Sequence, residues 1–250
     1  FYLENGARFG AASSDLTSQS NQVAGRIDVA EANSLPENGL EILDNQADRI
    51  EIQGGTITES VEWNNLGVPY NILSDINIGG KSETATLTIG PGTTLAFDNS
   101  EALTIGHAGS PGGLRTLGTR SAPVTLTTAQ TQEAGAWSGV FITDSADDDQ
   151  LSLSNTIIEY AGGSFSEANL TVEDATITIE DLTLRYSEDY GFQLEDDARF
   201  GDGSSGLVST NNSAGGNIDT PSADSIPTSG LNISDNLLNA VEVAGGTIEV

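Results

Sequence analysis

Hydrophobic and polar residues alternate through most of this chain in runs of four to six, broken by glycine, asparagine and aspartate. Ala85-Thr86-Leu87-Thr88-Ile89, Thr94-Leu95-Ala96-Phe97, Ala102-Leu103-Thr104-Ile105, Val124-Thr125-Leu126-Thr127 and Val140-Phe141-Ile142-Thr143 are examples. Asn155–Tyr160, Asn169–Val172, Ala175–Ile179 and Leu182–Tyr186 continue the series. Period-two alternation with β-branched residues and turn-forming breaks is the signature of short strands. No stretch carries a convincing helical apolar period. Strands this short and frequent suit a sandwich, a barrel or a β-helix.

Two features favour the β-helix. The apolar positions hold small and medium aliphatics, with Thr and Ser at the alternate positions. Hairpin dipeptides are almost absent: Asn5-Gly6 and Asn38-Gly39 are the two Asn-Gly pairs. In a coil each strand stacks on its counterpart one turn away, so like residues form ladders along the axis. The expected fold is therefore all-β, a right-handed parallel β-helix (a solenoid) with polar loop excursions.

The chain also repeats itself. Phe1–Glu59 and Phe192–Val250 align without a gap at an offset of 191 residues, with 28 of 59 pairs identical. Leu3, Glu4, Ala7, Arg8, Phe9 and Gly10 return as Leu194, Glu195, Ala198, Arg199, Phe200 and Gly201. Gly54-Gly55-Thr56-Ile57 returns as Gly245-Gly246-Thr247-Ile248. Fixed-period self-similarity points to a solenoid or an array. The boundaries read as 1–62, the end of one repeat, and 63–250, the next, with 192–250 equivalent to 1–59. At roughly twenty to twenty-five residues per turn, one repeat holds on the order of eight turns. With no capping helix at either terminus, each end is expected to abut another repeat, in the same chain or a neighbouring subunit.

An ordered set of motifs carries a resemblance. Trp63 precedes Val68-Pro69-Tyr70, then come Leu87-Thr88-Ile89-Gly90-Pro91-Gly92-Thr93, Gly118-Thr119, Pro123-Val124-Thr125-Leu126, Trp137-Ser138-Gly139 and Glu159-Tyr160-Ala161-Gly162-Gly163. From about Trp63 to Phe200 the chain resembles the large right-handed parallel β-helix repeat proteins that bacteria and some archaea secrete or display. Ala161, between Tyr160 and Gly162, departs from the usual pattern. The resemblance implies the fold and an extracellular or cell-surface location, and implies little about activity, because the fold hosts many functions.

Composition narrows the partners. The 250 residues include 37 acidic and 8 basic ones, net charge −29, and Lys81 is the only lysine. Such a field repels phosphate backbones and anionic lipid, so nucleic acid and bare membrane are poor partners. It suits a salt-rich medium, where screening weakens self-repulsion, or a Ca²⁺-rich one, where carboxylates become ligands. Without cysteine there are no disulfides, zinc–thiolate sites or thiol nucleophiles. No apolar run is long enough to span a membrane as a helix. The opening at Phe1, without an initiator methionine, fits a processed or internal segment.

The candidate chemistry is sparse. Asp144, Asp147, Asp148 and Asp149 are the densest acidic cluster and the candidate Ca²⁺ ligands, with no EF-hand spacing to support them. His107, the one histidine, has no second histidine beside it and reads as a solvated loop residue. The paired aspartates with Gly-His-Gly and Arg-x-Lys of polygalacturonase-like sites are missing. Pectate-lyase-like sites need calcium carboxylates and a basic residue poised to take a proton, and no exposed cluster of that kind can be assembled from the sequence's eight basic residues. Arg8 and Arg199 are repeat equivalents and are expected to make a common structural contact, such as pairing with Glu4 and Glu195. Trp63 and Trp137 are expected to pack. Asn169, Asn211 and Asn232 begin N-glycosylation sequons.

No catalytic residues and no bound cofactor are expected, and the chain is not expected to be an enzyme. The expected role is a structural or adhesive repeat unit of an extracellular stalk, filament or adhesin, stacking end to end with other copies. The alternative is a polysaccharide- or host-surface-binding module, with Ala11–Val29 and Asp202–Thr220 as loops leaving the coil. A β-helix polysaccharide lyase or hydrolase is the remaining option.

Overall fold

A computed structural model describes residues 1–164 and 166–245 of the chain. It is nearly all parallel β, 49% strand and 6% helix, wound into a solenoid of about 10 turns. The end of the second copy, 246–250, lies outside the described residues.

Each coil visits three faces. The first face stacks, in order, Tyr2–Leu3, Val23–Asp28, Ala47–Gln53, Tyr70–Ile72, Thr94–Phe97 and Val124–Thr128. It continues with the second halves of Ala146–Glu159 and Thr176–Arg185, then Val208–Thr210 and Asn232–Ser234. The second face runs from Gly55–Ile57 through Ile76–Ile78, Ala102–Ile105, Gly139–Ile142, Ala168–Glu173, Tyr190–Glu195 and Ala214–Ile218 to Leu238–Val243. The third face holds Val61–Trp63, Ala85–Ile89, Gly112–Leu117, the first halves of Ala146–Glu159 and Thr176–Arg185, and Arg199–Phe200. Thr17–Gln19 and Glu41–Leu43 pair with each other.

Register shows why the alternating pattern makes coils. Leu3, Ile27, Ile52, Ile72 and Phe97 are stacked partners on the first face, one per coil. Ile50, Tyr70, Leu95, Leu126, Ile158 and Leu184 form the neighbouring inward row, all buried. Strand periodicity sends these rows inward and the intervening Thr, Asn and charged residues outward. Burying a Leu or Ile contributes about 1.5–3 kcal/mol, and the rows repeat that gain coil after coil.

Corners are turned by single left-handed residues. Asn155, Asp181, Gly206 and Gly230 (φ 44°, 52°, 71° and 72°) stack between the third and first faces. Tyr160, Tyr186, Asn211 and Asp235 (φ 63°, 58°, 59° and 58°) stack between the first and second. A one-residue αL bend redirects the strand without a hairpin, and Asn and Asp tolerate it better than bulkier residues. Hence the scarcity of hairpin signals.

Coil length varies more than the sequence suggests, from 20 residues (Ile52 to Ile72) to 37 (Leu103 to Val140). The extra residues leave the coil at turns such as Thr119–Ala122 and at the bulge before Leu151. The predicted loops Ala11–Val29 and Asp202–Thr220 are largely coil instead. Thr17–Gln19 and Val23–Asp28 occupy the first, and Val208–Thr210 and Ala214–Ile218 the second. Their Ser and Asn residues turn inward at corners, which makes a coil read as a polar loop.

The two copies fold alike in detail. Phe1 packs edge-on to Phe9 at 5.3 Å between centroids, and Phe192 to Phe200 at 5.6 Å. Beneath each leading phenylalanine lies a glycine. A Cβ on Gly25 would stand 2.2 Å from the Phe1 ring, and one on Gly216 would stand 2.5 Å from the Phe192 ring. Real Cβ atoms never come that close, so the ring of one coil requires glycine in the next.

Candidate interaction surfaces

The acidic stretch predicted as a calcium loop lies in a turn and a strand bulge. Gly112 pairs with Ala146 and Leu114 with Leu151, so residues 147–150 stand opposite Gly113 alone. A Cβ on Gly113 would meet Gln150 Cβ at 2.4 Å, so glycine allows the bulge to lie close. The carboxylates go to separate partners. Asp144 accepts the Ser145 hydroxyl at 3.1 Å. Asp147 accepts from Thr84 Oγ1 and from the Asp149 amide. Asp148 accepts the Thr176 amide at 2.8 Å. Among the described residues no three acidic or histidine side chains are grouped to hold a metal.

A second acidic surface emerges only from register. On the second face Glu173 stands opposite Glu195, and Glu167 lines the same groove with Phe141, Thr171 and Gln193. Burial raises the Glu195 carboxyl above its ordinary range, and the charges of Glu173, Asp196, Glu167 and Asp219 raise it further. Glu101 is raised likewise, by burial and then by a hydrogen bond and charge from Asp75. These pairs are far apart in sequence, and coil lengths are needed to see them meet. Phe141 is signalled only by being an aromatic at an outward position of its strand.

Arginines neutralise the buried carboxylates Glu51 and Glu159. Glu51, 4% exposed, lies between Arg26 and Arg49. Burial raises its pKa, but hydrogen bonds from Arg49 and Arg26 more than offset this and leave it below the ordinary value. Glu159 is held by Arg185 and by the Thr127 hydroxyl at 3.0 Å. Arg8 and Arg199 both reach the 3₁₀ turn one coil on, through acids that are not repeat equivalents, and neither pairs with Glu4 or Glu195. Arg8 pairs with Glu31 at 3.7 Å, and Arg199 pairs with Asp224. Glu4 and Glu195 are in the same coil as the arginines, whereas Glu31 and Asp224 sit on the short 3₁₀ turn one coil on. An arginine reaching along the axis ties successive coils, which a neighbour in its own coil cannot do.

Other predicted residues fall as follows. Trp63 and Trp137 are fully buried, stacked on Tyr70 and Phe97. His107 is exposed in a short 3₁₀ turn. Asn169 is completely buried and bonded to the Ala161 amide, so its sequon is closed to modification in the folded chain, while Asn211 and Asn232 are exposed. Of the alternating threonines, Thr86 and Thr88 lie on the third face with Thr176 and Thr178, whereas Thr125 and Thr127 lie on the first, so they share no single plane.

No family model, curated protein or solved structure matches the chain.

Two outcomes follow from the charge. Glu195 and Glu101 have folded-state pKa values above the unfolded carboxylate value of about 4.3. Their protonated forms favour the fold, so stability should rise as pH falls from 7 through their folded pKa values. Glu51 and Asp219 are lowered, so their contribution is lost as pH falls below about 4 and through their folded pKa values. A thermal melting series should therefore peak in the mildly acidic range; a monotonic fall in Tm from pH 7 to 4 would contradict this. Sodium chloride should also raise Tm by screening the net charge of −29. Calcium chloride at matched ionic strength should add nothing further. A calcium-specific increment would support Asp144, Asp147, Asp148 and Asp149 as a binding site.

Proposed function

We propose that this chain is a structural and adhesive repeat unit of an extracellular stalk, filament or adhesin, acting without catalysis. The observation that supports it most is continuity. First-face pairing runs strand to strand from Tyr2 to Ser234, through the end of one copy and into the next. Further copies of the unit would extend the same stack, with every backbone group paired along the axis. The acidic exterior keeps such a rod soluble and separate from its neighbours, and the resemblance supports surface display.

The first test is the denatured mass of the native polypeptide, with antibody access to it on intact cells. A mass several repeats above 25.9 kDa and surface labelling are expected. A mass near 25.9 kDa, or a protein reached only after lysis, would overturn the reading.

One observation favours a second reading, polysaccharide binding. Phe141 is partly exposed on the second face, beside Thr171 and Gln193 and in one groove with Glu173 and Glu195. An aromatic flanked by polar groups is a platform on which a sugar ring can stack. Glycan-array binding that Phe141→Ala abolishes would move the function there; an array without signal removes that reading.

A further inference from the structure

We infer that the 191-residue repeat is not a whole number of coils, so that each copy presents its surface one face further round the rod than the copy before. The two copies lie in different sheets. Leu3, Ile27 and Ile52 are stacked on the first face. Their repeat equivalents Leu194, Ile218 and Val243 are stacked on the second. Both triplets are parallel, in the same internal register, and in different sheets.

The rest of the pattern moves with them. Thr17–Gln19 pairs with Glu41–Leu43, and their equivalents Val208–Thr210 and Asn232–Ser234 pair identically but on the first face. The 3₁₀ turn Val29–Ser34 packs against Gly55–Ile57, the first strand of the second face, while its equivalent Pro221–Ser225 packs against Arg199–Phe200 on the third. Followed along the chain, the path from Tyr2–Leu3 to Tyr190–Glu195 makes seven circuits of the first face and one further step to the second. The repeat is thus seven and one-third coils.

The consequence for a surface rod rests on the reading above. With coils about 4.8 Å apart, equivalent surfaces recur about every 35 Å along the axis, turned by about a third of a revolution, and regain the same face at every third copy. A feature retained in both copies, such as the arginine (Arg8, Arg199) that reaches the 3₁₀ turn one coil on, is offered in turn on every side. A rod of such units has no preferred side and can engage partners all round. A repeat of seven whole coils would put every equivalent surface in one line.

The phase can be read in this chain by itself, whatever its location in the cell. The sequence has no cysteine, so spin labels can be placed in pairs. Tyr2 is 54% exposed, and first-face pairing, carried from Thr127 to Glu159 by their side-chain hydrogen bond, leads from it through Arg26, Glu51, Asn71, Ala96, Thr127, Glu159 and Arg185 to Thr210, eight coils directly above. Asn217, the equivalent of Arg26, lies seven residues beyond Thr210 on the second face. The Tyr2→Cys/Thr210→Cys distance by double electron–electron resonance should be about 38 Å at that coil spacing. The Tyr2→Cys/Asn217→Cys distance should be clearly longer. If the repeat were a whole number of coils the order would reverse, because Asn217 would be the residue in line, and that result overturns the inference. Tyr2→Cys with Arg185→Cys, in line, and with Gln193→Cys, one face on, gives the same comparison should either first pair fail to fold.

Discussion

Replacing Trp137 with alanine should destabilise the fold by about 3–5 kcal/mol, the cost of deleting a large buried aromatic. Its ring is wholly inaccessible and lies parallel to Phe97, 4.4 Å between centroids and 8° between planes. Its indole Nε1 donates 2.8 Å to the Glu159 carbonyl one coil on. That second role separates it from Trp63, which is equally buried and stacked on Tyr70 at 5.3 Å, but whose Nε1 has no partner. Trp137→Phe therefore takes the donor from a buried carbonyl, at about 1–3 kcal/mol. Trp63→Phe removes a polar atom that was already unsatisfied, and should cost no more than about 1.5 kcal/mol, the range of a tolerated core swap. Denaturant midpoints for the three variants check this, compared at equal slope so that a change in cooperativity is not mistaken for one in stability. Equal losses for Trp137→Phe and Trp63→Phe would show that the Trp137 hydrogen bond contributes nothing.

The coil architecture was legible because it depends on local pattern. Thr86-Leu87-Thr88-Ile89 alternates in sequence as it does in space, with Leu87 and Ile89 inside. The sequence predicts that Trp63 and Trp137 pack, and both are fully buried. What meets across coils was not legible, because it depends on the length of every intervening coil. Arg8 reaches Glu31 and not Glu4 because the axial neighbour is a coil away in sequence and about 4.8 Å away in space. The Glu173–Glu195 pair was hidden for the same reason. The polar stretch around Asn212 reads as a loop by composition, and becomes buried coil because its side chains bond backbone groups at a corner. The repeat was visible as identity at a fixed offset, but its one-face advance was not, since the offset says nothing about how many faces the chain crosses.

Asn212 should prove as costly to remove as a large apolar residue. It is 4% exposed at the corner between the first and second faces. Its Oδ1 accepts the Ser187 amide at 2.8 Å, and its Nδ2 donates to the Leu184 carbonyl at 3.2 Å and to Ser209 Oγ at 3.0 Å. Its own amide donates 2.8 Å to Asn236 Oδ1, which continues the ladder. Asn212→Leu strands one buried donor and one buried acceptor at about 1–3 kcal/mol each, so a loss of about 2–5 kcal/mol is expected. The repeat equivalent Asn21 makes the same amide contact, 2.9 Å to Asn45 Oδ1, but is exposed. Water can replace its bonds, and Asn21→Leu should stay within about 1 kcal/mol. Two identical residues at equivalent places should thus differ several-fold, and equal losses would refute burial as the cause. Asn212→Asp separates hydrogen bonding from packing, because the shape is kept while the donor becomes an ionised acceptor facing the Leu184 carbonyl. That variant should be strongly destabilised at pH 7 and recover as pH falls and the carboxyl takes up a proton it can donate. Asn212→Leu should show no such recovery relative to the parent chain, and a matching pH response in both would mean that the ladder is held by packing alone.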